Sequence, residues 1–235
     1  GGADAFSQGY YGGGTLKTTA AAIFAQDTYS LTEALGVTVG GRYSYEKKGV
    51  AARAFFDLSR PFDPAFPDTQ PLVTASHSFY SFTPKIGVQY KFSPKAMIFA
   101  SYSKGFKSGT YAISLPGPEV NPEKITAYEA GLKFTSNDSR YRANITGFYY
   151  DYTDLQVNQL RNQNPVLVNA AAATVYGVEG EFTARPFEAP LVATLHTSYL
   201  HGRFDKYVSV DGASPNGDGT TLLDGVPAFN LAGAP

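Results

Sequence analysis

The 235-residue sequence contains no cysteine, no tryptophan and a single methionine. Without cysteine, the chain cannot hold a disulfide framework, a thiolate zinc site, an iron–sulfur cluster or a thiol nucleophile. Charged residues are scarce at 17%, against the roughly 25% that is usual for soluble domains. Their signs nearly cancel, to a formal net charge of −1. Binding of nucleic acid needs a clustered basic face, so this balance argues against a nucleic-acid partner.

Long apolar runs are also missing, and no segment approaches the ~20 apolar residues of a membrane-spanning helix. The chain is instead rich in small and aromatic residues, with 24 glycines, 17 phenylalanines and 17 tyrosines. Apolar and polar residues alternate with a period of two, most clearly over residues 141–150, where the odd positions are Tyr, Ala, Ile, Gly and Tyr and the first three even positions are Arg, Asn and Thr. This period predicts β-strands rather than helices.

Eight segments have this strand pattern. They are residues 18–30, 35–48, 78–92, 96–104, 124–135, 140–154, 167–185 and 191–204. The connections between them alternate between short and long, and the long ones are residues 49–77, 105–123, 157–166 and the tail from 205. Such alternation predicts antiparallel up-and-down strands with all long loops at one end, which is typical of a transmembrane β-barrel and not of a Greek-key sandwich. A soluble all-β domain is the alternative.

Aromatic residues support the membrane interpretation because they are expected at both ends of one strand face. Tyr80 and Tyr90 are ten residues apart, which corresponds to a height of about 25 Å in a strand tilted by about 40°. Tyr141 and Tyr149 give about 20 Å by the same geometry. Both values are close to the apolar band of ~25 Å that separates the two aromatic girdles of outer-membrane barrels. Within the predicted strand at residues 78–92, Pro84 predicts a local bulge.

The opposite strand faces collect the charges, because a cation facing lipid near the midplane would cost about 2–4 kcal/mol. Alternation therefore predicts that eight charged residues point into the barrel: Arg42, Glu46, Lys85, Glu129, Lys133, Arg142, Glu179 and Glu181. Their mixed signs predict a lumen laced with ion pairs. Asp27 is the exception, since it falls on the apolar face next to a short turn.

No catalytic or metal-binding pattern is present, so we expect neither enzymatic activity nor a cofactor nor a bound metal. The sequence has no nucleophile elbow, phosphate-binding loop, dinucleotide fingerprint or zinc helix. His77 is isolated in sequence. His196 and His201 are five residues apart and so belong to opposite faces of a strand, which argues against their joint coordination of one metal ion. Residues 211–219 lack the carboxylate spacing of a calcium loop.

A series of short motifs occurs in order along the chain, each on the expected strand. They are FAQ at 24–26, GGRY at 40–43, ASYSKGFKSG at 100–109, NPEK at 121–124, YEAGLK at 128–133, FYYDY at 148–152, DLQ at 154–156 and GVEGE at 177–181. Together they resemble the barrel of TonB-dependent outer-membrane receptors, particularly the receptors for iron complexes.

This resemblance implies a 22-stranded barrel in the bacterial outer membrane, filled by an N-terminal plug that carries a TonB-binding box. We therefore expect the chain to be eight consecutive strands of a larger barrel, without the plug and the C-terminal strands. The implied function is energy-coupled uptake of a scarce nutrient, most often a ferric siderophore, with the TonB complex and outer-membrane lipid or lipopolysaccharide as partners. The alternative is a complete eight-stranded barrel with a structural or adhesive role.

The resemblance also implies that the long loops contact the ligand at the outer rim. Candidate rim residues are Phe106, Lys107, Tyr111 and Arg161, while Arg42, Glu129, Lys133, Arg142, Glu179 and Glu181 are expected to line the lumen. Aromatic and cationic side chains can hold an organic ligand by stacking and charge contacts. Packing of one loop against another is the favoured alternative for any single rim aromatic, including Phe55, Phe56, Phe62 and Phe66. Arg161 and Lys107 could also face lipopolysaccharide or water.

Overall fold

The computed structural model describes residues 9–57, 72–112, 119–161, 164–186, 191–209, 217–218, 221–223 and 226–235. Ten strands are found there: β1 (Gly9–Ser30), β2 (Leu35–Asp57), β3 (Val73–Ser93), β4 (Ala96–Lys107), β5 (Glu123–Thr135), β6 (Tyr141–Arg161), β7 (Asn164–Ala184), β8 (Ala193–Ser209), β9 (Thr221–Leu223) and β10 (Val226–Asn230). Among these residues there is no helix long and apolar enough to cross a membrane. The all-β prediction is confirmed.

All ten strands belong to one antiparallel sheet. From β1 to β8 each strand pairs with the next in sequence, and β10 then pairs with β8 and with β9. The predicted up-and-down topology is therefore confirmed for the eight long strands. We name the end of the sheet that contains residues 31–34, 94–95, 136–140, 185–186 and 191–192 the short-turn end, and the opposite end the long-loop end.

The strands extend further towards the long-loop end than the alternation predicts. β2 continues to Asp57 and β3 already begins at Val73, while β6 and β7 leave only residues 162–163 between them where a loop over 157–166 was predicted. In the predicted tail, β8 runs to Ser209 and β9 and β10 follow. Period-two alternation is visible in a sequence only where one face of the strand is apolar. In a membrane barrel, the parts of a strand beyond the lipid can be polar on both faces, although the backbone hydrogen bonds to the neighbouring strands continue.

Short turns fix the register because their own side chains close them. Thr32 Oγ1 accepts hydrogen bonds from the backbone N–H groups of Ala34 at 3.2 Å and Leu35 at 2.9 Å. In the turn between β5 and β6, Ser139 has a positive φ of 58°, and Asp138 accepts hydrogen bonds from the Ser136 hydroxyl and the Arg140 N–H. These bonds, the Ser136 one first, hold the pKa of Asp138 below its usual value.

The register sorts side chains into two faces. On what we call the aromatic face, Tyr45 is opposite Tyr80, Tyr102 is opposite Tyr128, and Tyr149 is opposite both Tyr128 and Tyr176. These six tyrosines form an upper belt, in which the Tyr102 and Tyr128 ring centroids are 5.3 Å apart. A lower belt near the short-turn end contains Tyr29, Tyr90, Phe92, Phe134 and Tyr141. Asp27 is opposite Val39 on this face, as predicted.

The predicted bulge at Pro84 is wrong, since Pro84 pairs directly with Gly41 and the β3–β4 irregularity lies between Lys91 and Ser93. The β3–β4 ladder instead ends at Lys85, next to Pro84, which has no N–H to donate. Beyond this point β4 leaves β3. The connection between β4 and β5 can then fold over the other face of the sheet, which we call the polar face.

Candidate functional site: the polar face and the segment folded onto it

The polar face carries all eight charged residues that alternation assigns to one side of the sheet. Glu46 is opposite Phe79 and Arg42 is opposite Thr83. On the later strands the register pairs Glu129 with Ser101 and with Phe148, and Lys133 with Met97 and with Asn144. Arg142 is opposite Thr135 and Thr183, while Glu179 and Glu181 follow on β7 opposite Ser198 and His196. Lys85 is opposite Ser103.

These charges mostly contact neutral partners, so the predicted lattice of ion pairs is wrong for the described residues. Tyr150 Oη donates to Glu129 Oε1 at 2.8 Å, and Asn144 Nδ2 donates to Glu181 Oε2 at 3.3 Å. The Lys133 ammonium lies 5.5 Å from the Phe99 ring centroid. Of the eight, Glu46 alone has an ion pair there, at 3.2 Å from Lys48. None of the other seven charges has an Asp, Glu, Lys or Arg directly opposite it on a neighbouring strand, and sequence alternation does not reveal which residues become neighbours.

The connection between β4 and β5, residues 108–122, which we call the β4–β5 segment, folds back onto the polar face of β2 and β3. Its described parts are residues 108–112 and 119–122. Thr110 and Val120 exchange two backbone hydrogen bonds of 3.1 and 2.8 Å, which join the two described parts of the segment. Ser108 Oγ then donates to Glu46 Oε2 at 2.7 Å, which ties the start of the segment to β2.

The segment is also packed down by its apolar residues. Tyr111 is only 6% exposed and clusters with Val50 and Ala52 of β2. Phe79 of β3 is buried below Gly109, where a Cβ atom on the glycine would lie 2.3 Å from two Phe79 ring carbons and from the Val120 carbonyl oxygen. Only glycine fits this close approach, because any side chain would have to displace the ring and the backbone. Of the seven buried apolar residues in the described part of the chain, five lie here: Val50, Ala52, Phe79, Tyr111 and Val120.

A histidine and a carboxylate complete the contact between the segment and the wall. His77 Nδ1 lies 2.9 Å from Glu119 Oε2, and the Tyr111 hydroxyl donates to the same oxygen at 3.2 Å. The His77 ring packs against Phe79 with centroids 4.7 Å apart. The sequence pattern assigned no binding role to His77 or Glu119, because their contact joins positions 42 residues apart.

Two amides of β6 and β7 brace the other side of the segment. Gln156 Nε2 donates to the carbonyls of Ser108 and Asn121, both at 2.9 Å. Asn169 accepts from the Asn121 N–H at 2.7 Å and donates to the carbonyls of Asn121 at 2.9 Å and Asp154 at 2.7 Å. Each amide therefore satisfies backbone groups that have no strand partner.

This brace brings two of the sequence motifs together. The NPEK motif supplies Asn121 and Glu123, and the DLQ motif supplies Asp154 and Gln156. Glu123 Oε2 accepts from the Gln156 N–H at 3.2 Å. Asp154 has a positive φ of 56° and lies where the β6–β7 register shifts. The bulge provides the change of direction, and the motifs thus serve to hold the segment in place.

The four predicted rim residues do not form one cluster. Tyr111, which belongs to the β4–β5 segment, is buried against Val50 and Ala52 of β2, so the packing interpretation fits it best. Phe106 pairs with Lys124 and has the same strand parity as Tyr102, which assigns it to the aromatic face. Lys107 is on the polar side, 62% exposed and 3.5 Å from Glu123 Oε2. Arg161 ends β6, but its side chain, like those of Phe55 and Phe56, is outside the described residues, as are Phe62 and Phe66 entirely.

His196 and His201 are on opposite faces, as predicted. His196 is opposite Glu181 on the polar face, whereas His201 is opposite Tyr176 on the aromatic face, where the two rings pack 5.1 Å apart. No group of three or more potential metal ligands occurs within the described part of the chain.

The segment is expected to leave the wall at alkaline pH. Burial, and then the hydrogen bond and charge of Glu119, raise the pKa of Tyr111 above its usual value near 10. The docked segment therefore keeps the phenol proton longer than the released one, and docking that is complete below pH ~10 weakens as pH rises through the raised pKa. A cysteine introduced at Ala112 would be the one thiol in these 235 residues, so its alkylation rate should rise with pH in this range.

The thiol is already ionised above pH ~10, so a further increase in rate reports exposure rather than thiolate formation. Tyr111→Phe removes the titrating hydroxyl and should flatten the pH profile. The same rise in both proteins would show that another group releases the segment.

The fold is that of a known family. The family model for the TonB-dependent receptor-like β-barrel matches residues 1–233. The chain belongs to this family. Its location is accordingly the outer membrane, and the family consists of receptors and transporters rather than enzymes.

Three similar proteins illustrate the range of the family. The metal-pseudopaline receptor CntO of Pseudomonas aeruginosa is 38% identical over 69 residues, which are 28% of this chain and 9% of CntO. The ferric yersiniabactin uptake receptor FyuA of Yersinia pestis superposes with a TM-score of 0.68 at 19% identity, over 82% of this chain and 28% of FyuA. The copper transporter OprC superposes with a TM-score of 0.61 at 12% identity, over 80% and 30%. The chain thus spans less than a third of each, and the structural matches show the fold alone.

Proposed function

We propose that these residues form part of the wall and outer rim of a receptor that imports a metal complex, a ferric siderophore in the first instance, driven by the TonB complex. The observation that carries this proposal is the β4–β5 segment, which is braced against the polar face while the opposite face is built for lipid. A wall with one lipid face and one charged face supports transport through an interior. The plug and its TonB-binding box are the partners that the family implies.

In this proposal the polar face lines the lumen. Arg42, Glu129, Lys133, Arg142, Glu179 and Glu181 are the charged lining residues. Arg42, Glu129 and Glu181 each have a hydrogen bond to a neutral side chain, which leaves donor or acceptor capacity for a plug or a passing ligand. Mixed signs suit a polar interior that does not select ions of one charge.

At the rim, Lys107 is the residue whose placement best supports ligand contact, since it is exposed on the polar side at the base of the segment. Arg161 ends β6 at the same end of the sheet, and it remains the second proposed cation. We assign Tyr111 the indirect role of holding the segment, and Phe106 a position among the aromatic residues at the lipid side.

The family match favours transport over a structural or adhesive barrel. The proposed ligand class is inferred from the ligands of three similar proteins. CntO is a metal-pseudopaline receptor and FyuA takes up ferric yersiniabactin, whereas OprC is a copper transporter. A metal held by an organic chelator is common to the first two, and therefore supports a chelated metal as the ligand of this receptor.

Replacing residues 108–122 of the full-length receptor by a short Gly-Ser linker is expected to abolish uptake of its iron-loaded siderophore. The measurement is accumulation of radioactive iron from a set of ferric siderophores, in cells with and without an intact TonB complex. Replacement of turn residues 137–139 at the opposite end serves as the matched control. Unchanged uptake by a folded loop variant would overturn the rim role, and uptake of copper salts but of no ferric siderophore would overturn the ligand class.

A further inference from the structure

Strands β3 and β4 separate at Lys85, and a cavity lies at the fork between them. The β3–β4 ladder ends where Lys85 pairs with Ser103, whereas β3 continues to pair with β2, and β4 with β5. The cavity has a volume of about 300 Å³, which is at the lower end of the range for small-molecule sites and therefore suits one end of a ligand. Its polar side chains are Gln26, Arg42, Thr83, Lys85, Ser103 and Lys104.

The charges of this cavity are all of one sign. Three cations line it, Arg42, Lys85 and Lys104, and no aspartate or glutamate of the described residues does. Gly40 is directly opposite Lys85 and two residues from Arg42, so Arg42 and Lys85 are diagonal neighbours on the polar face. Diagonal neighbours lie about 7–8 Å apart, within reach of long side chains, and two like charges at this distance repel one another. An anion between them would relieve the repulsion.

Several donor groups of the cavity are free to bind such an anion. The Arg42 guanidinium donates through Nε to Ser44 Oγ at 3.0 Å, which leaves its two terminal nitrogens available. Both Arg42 and Lys85 are exposed, and neither has a carboxylate within 4 Å in the described part of the chain. The Ser103 hydroxyl on the β4 side of the fork adds a further donor.

A second cavity connects the fork to the β4–β5 segment. It has a volume of about 370 Å³ and shares Arg42 and Thr83 with the first cavity. Glu46 also lines it, at the place where Ser108 of the segment donates to this carboxylate. The ion pair of Glu46 is with Lys48 and not with Arg42. The two cavities thus form one cleft, which begins under the segment and ends at the fork.

We propose that this cleft is a subsite for an anionic ligand, in which Arg42 and Lys85 bind a carboxylate group of the metal chelate that the receptor imports. This inference rests on the proposed function. The planar guanidinium of arginine matches the two oxygens of a carboxylate, and the lysine ammonium adds a second charge. Glu179 and Glu181 lie on β7, on the other side of the polar face, so the negative end of the ligand is directed towards β2 and β3.

The test uses the full-length receptor purified in detergent and one linear ferric trihydroxamate in two forms, which end in a carboxylate or in the corresponding primary amide. The hydroxamates neutralise the ferric ion, so the end group alone sets the charge of the probe. Variants R42Q and K85Q each remove one cation. The matched control is K91Q, which removes a lysine from the same face of β3 outside the cavity. Radioactive iron measures equilibrium binding, and heat-modifiable electrophoretic mobility checks folding.

The wild type should prefer the carboxylate form. A hydrogen bond to a charged group contributes enough free energy for about a tenfold change in affinity, so R42Q and K85Q should each bind the carboxylate form about tenfold more weakly. Their affinity for the amide form should not change, and K91Q should bind both forms like the wild type. S103D supplies a carboxylate to the cavity without removing a cation, and it should also lose the preference for the carboxylate form.

Equal binding of the two forms by the wild type, or binding of neither, would overturn the anionic subsite. An equal loss of both forms in R42Q and K85Q would also overturn it, because the two cations would then hold a carboxylate of the plug. If R42Q does not fold, K85Q and S103D decide the question. The proposed import is tested separately by TonB-dependent iron accumulation from the set of ferric siderophores, so the subsite can fail while import stands.

Discussion

Replacement of Ile86 by lysine is expected to lower the free energy of unfolding of the receptor by about 2–4 kcal/mol. Ile86 lies on the aromatic face between Val39 and Tyr102, and its side chain is 52% exposed on the outside of the sheet. It is close to midway between Tyr80 and Tyr90, and a cation there would be held near the middle of the hydrocarbon layer. Urea titration of the protein in lipid vesicles measures the loss.

The matched control is Gln89→Lys, which introduces the same side chain three residues along the same strand but on the polar face. Lys85 already occupies that face one residue before Ile86, so the control should change stability by less than about 0.5 kcal/mol. If both variants lose the same stability, the two faces have been assigned to the wrong environments. That result would also contradict the proposal that the polar face lines the lumen.

Alanine at position 109 is expected to release the β4–β5 segment from the wall. The added Cβ would lie 2.3 Å from the Phe79 ring and from the Val120 carbonyl oxygen. The ring can turn aside, but the carbonyl belongs to the bridge with Thr110 and can move only if that bridge opens. Overpacking of this kind costs about 1–3 kcal/mol. Alkylation of a cysteine introduced at Ala112 should therefore become about tenfold faster or more.

Gly49→Ala is the control for this substitution. Its Cβ would meet nothing closer than Ser76 Cβ at 3.9 Å, and a glycine-to-alanine change in open space slightly stabilises a folded chain. In this control the cysteine introduced at Ala112 should react at the parental rate. An unchanged rate in Gly109→Ala itself would mean that the segment is not held against Phe79. The role of the segment in uptake is tested separately by its replacement, so the two results can be distinguished.

Much of the sheet could be predicted because β-alternation has a fixed period and the membrane imposes a fixed height. Tyr80 and Tyr90 identified the face and its depth, and the charges from Arg42 to Glu181 then had to share the other face. The errors occurred where these two constraints stop. Residues 49–57 and 157–166 lie beyond the lipid, where an apolar face is no longer required, and their pairing depends on backbone hydrogen bonds that any sequence can form.

The candidate site was much less predictable than the sheet. Tyr111 was identified as functional from its type and loop position, and the structure shows it buried as a packing residue. Gln156 and Asn169 were not singled out as a pair, although they hold the segment, because an amide that satisfies a distant carbonyl has no local pattern. The contact of His77 with Glu119 was likewise not predictable, because the two residues are 42 positions apart in sequence.

By itself the sequence determined the class of the protein, the faces of its strands and the end at which the long connections lie, because each of these follows from local period and from the energy of placing charge in lipid. Only the tertiary structure decided how the β4–β5 segment folds onto the polar face, which motif contacts which, and that most of the charged side chains there have neutral partners. Those features depend on strand register and on the approach of residues far apart in the chain, and no spacing along the sequence encodes them.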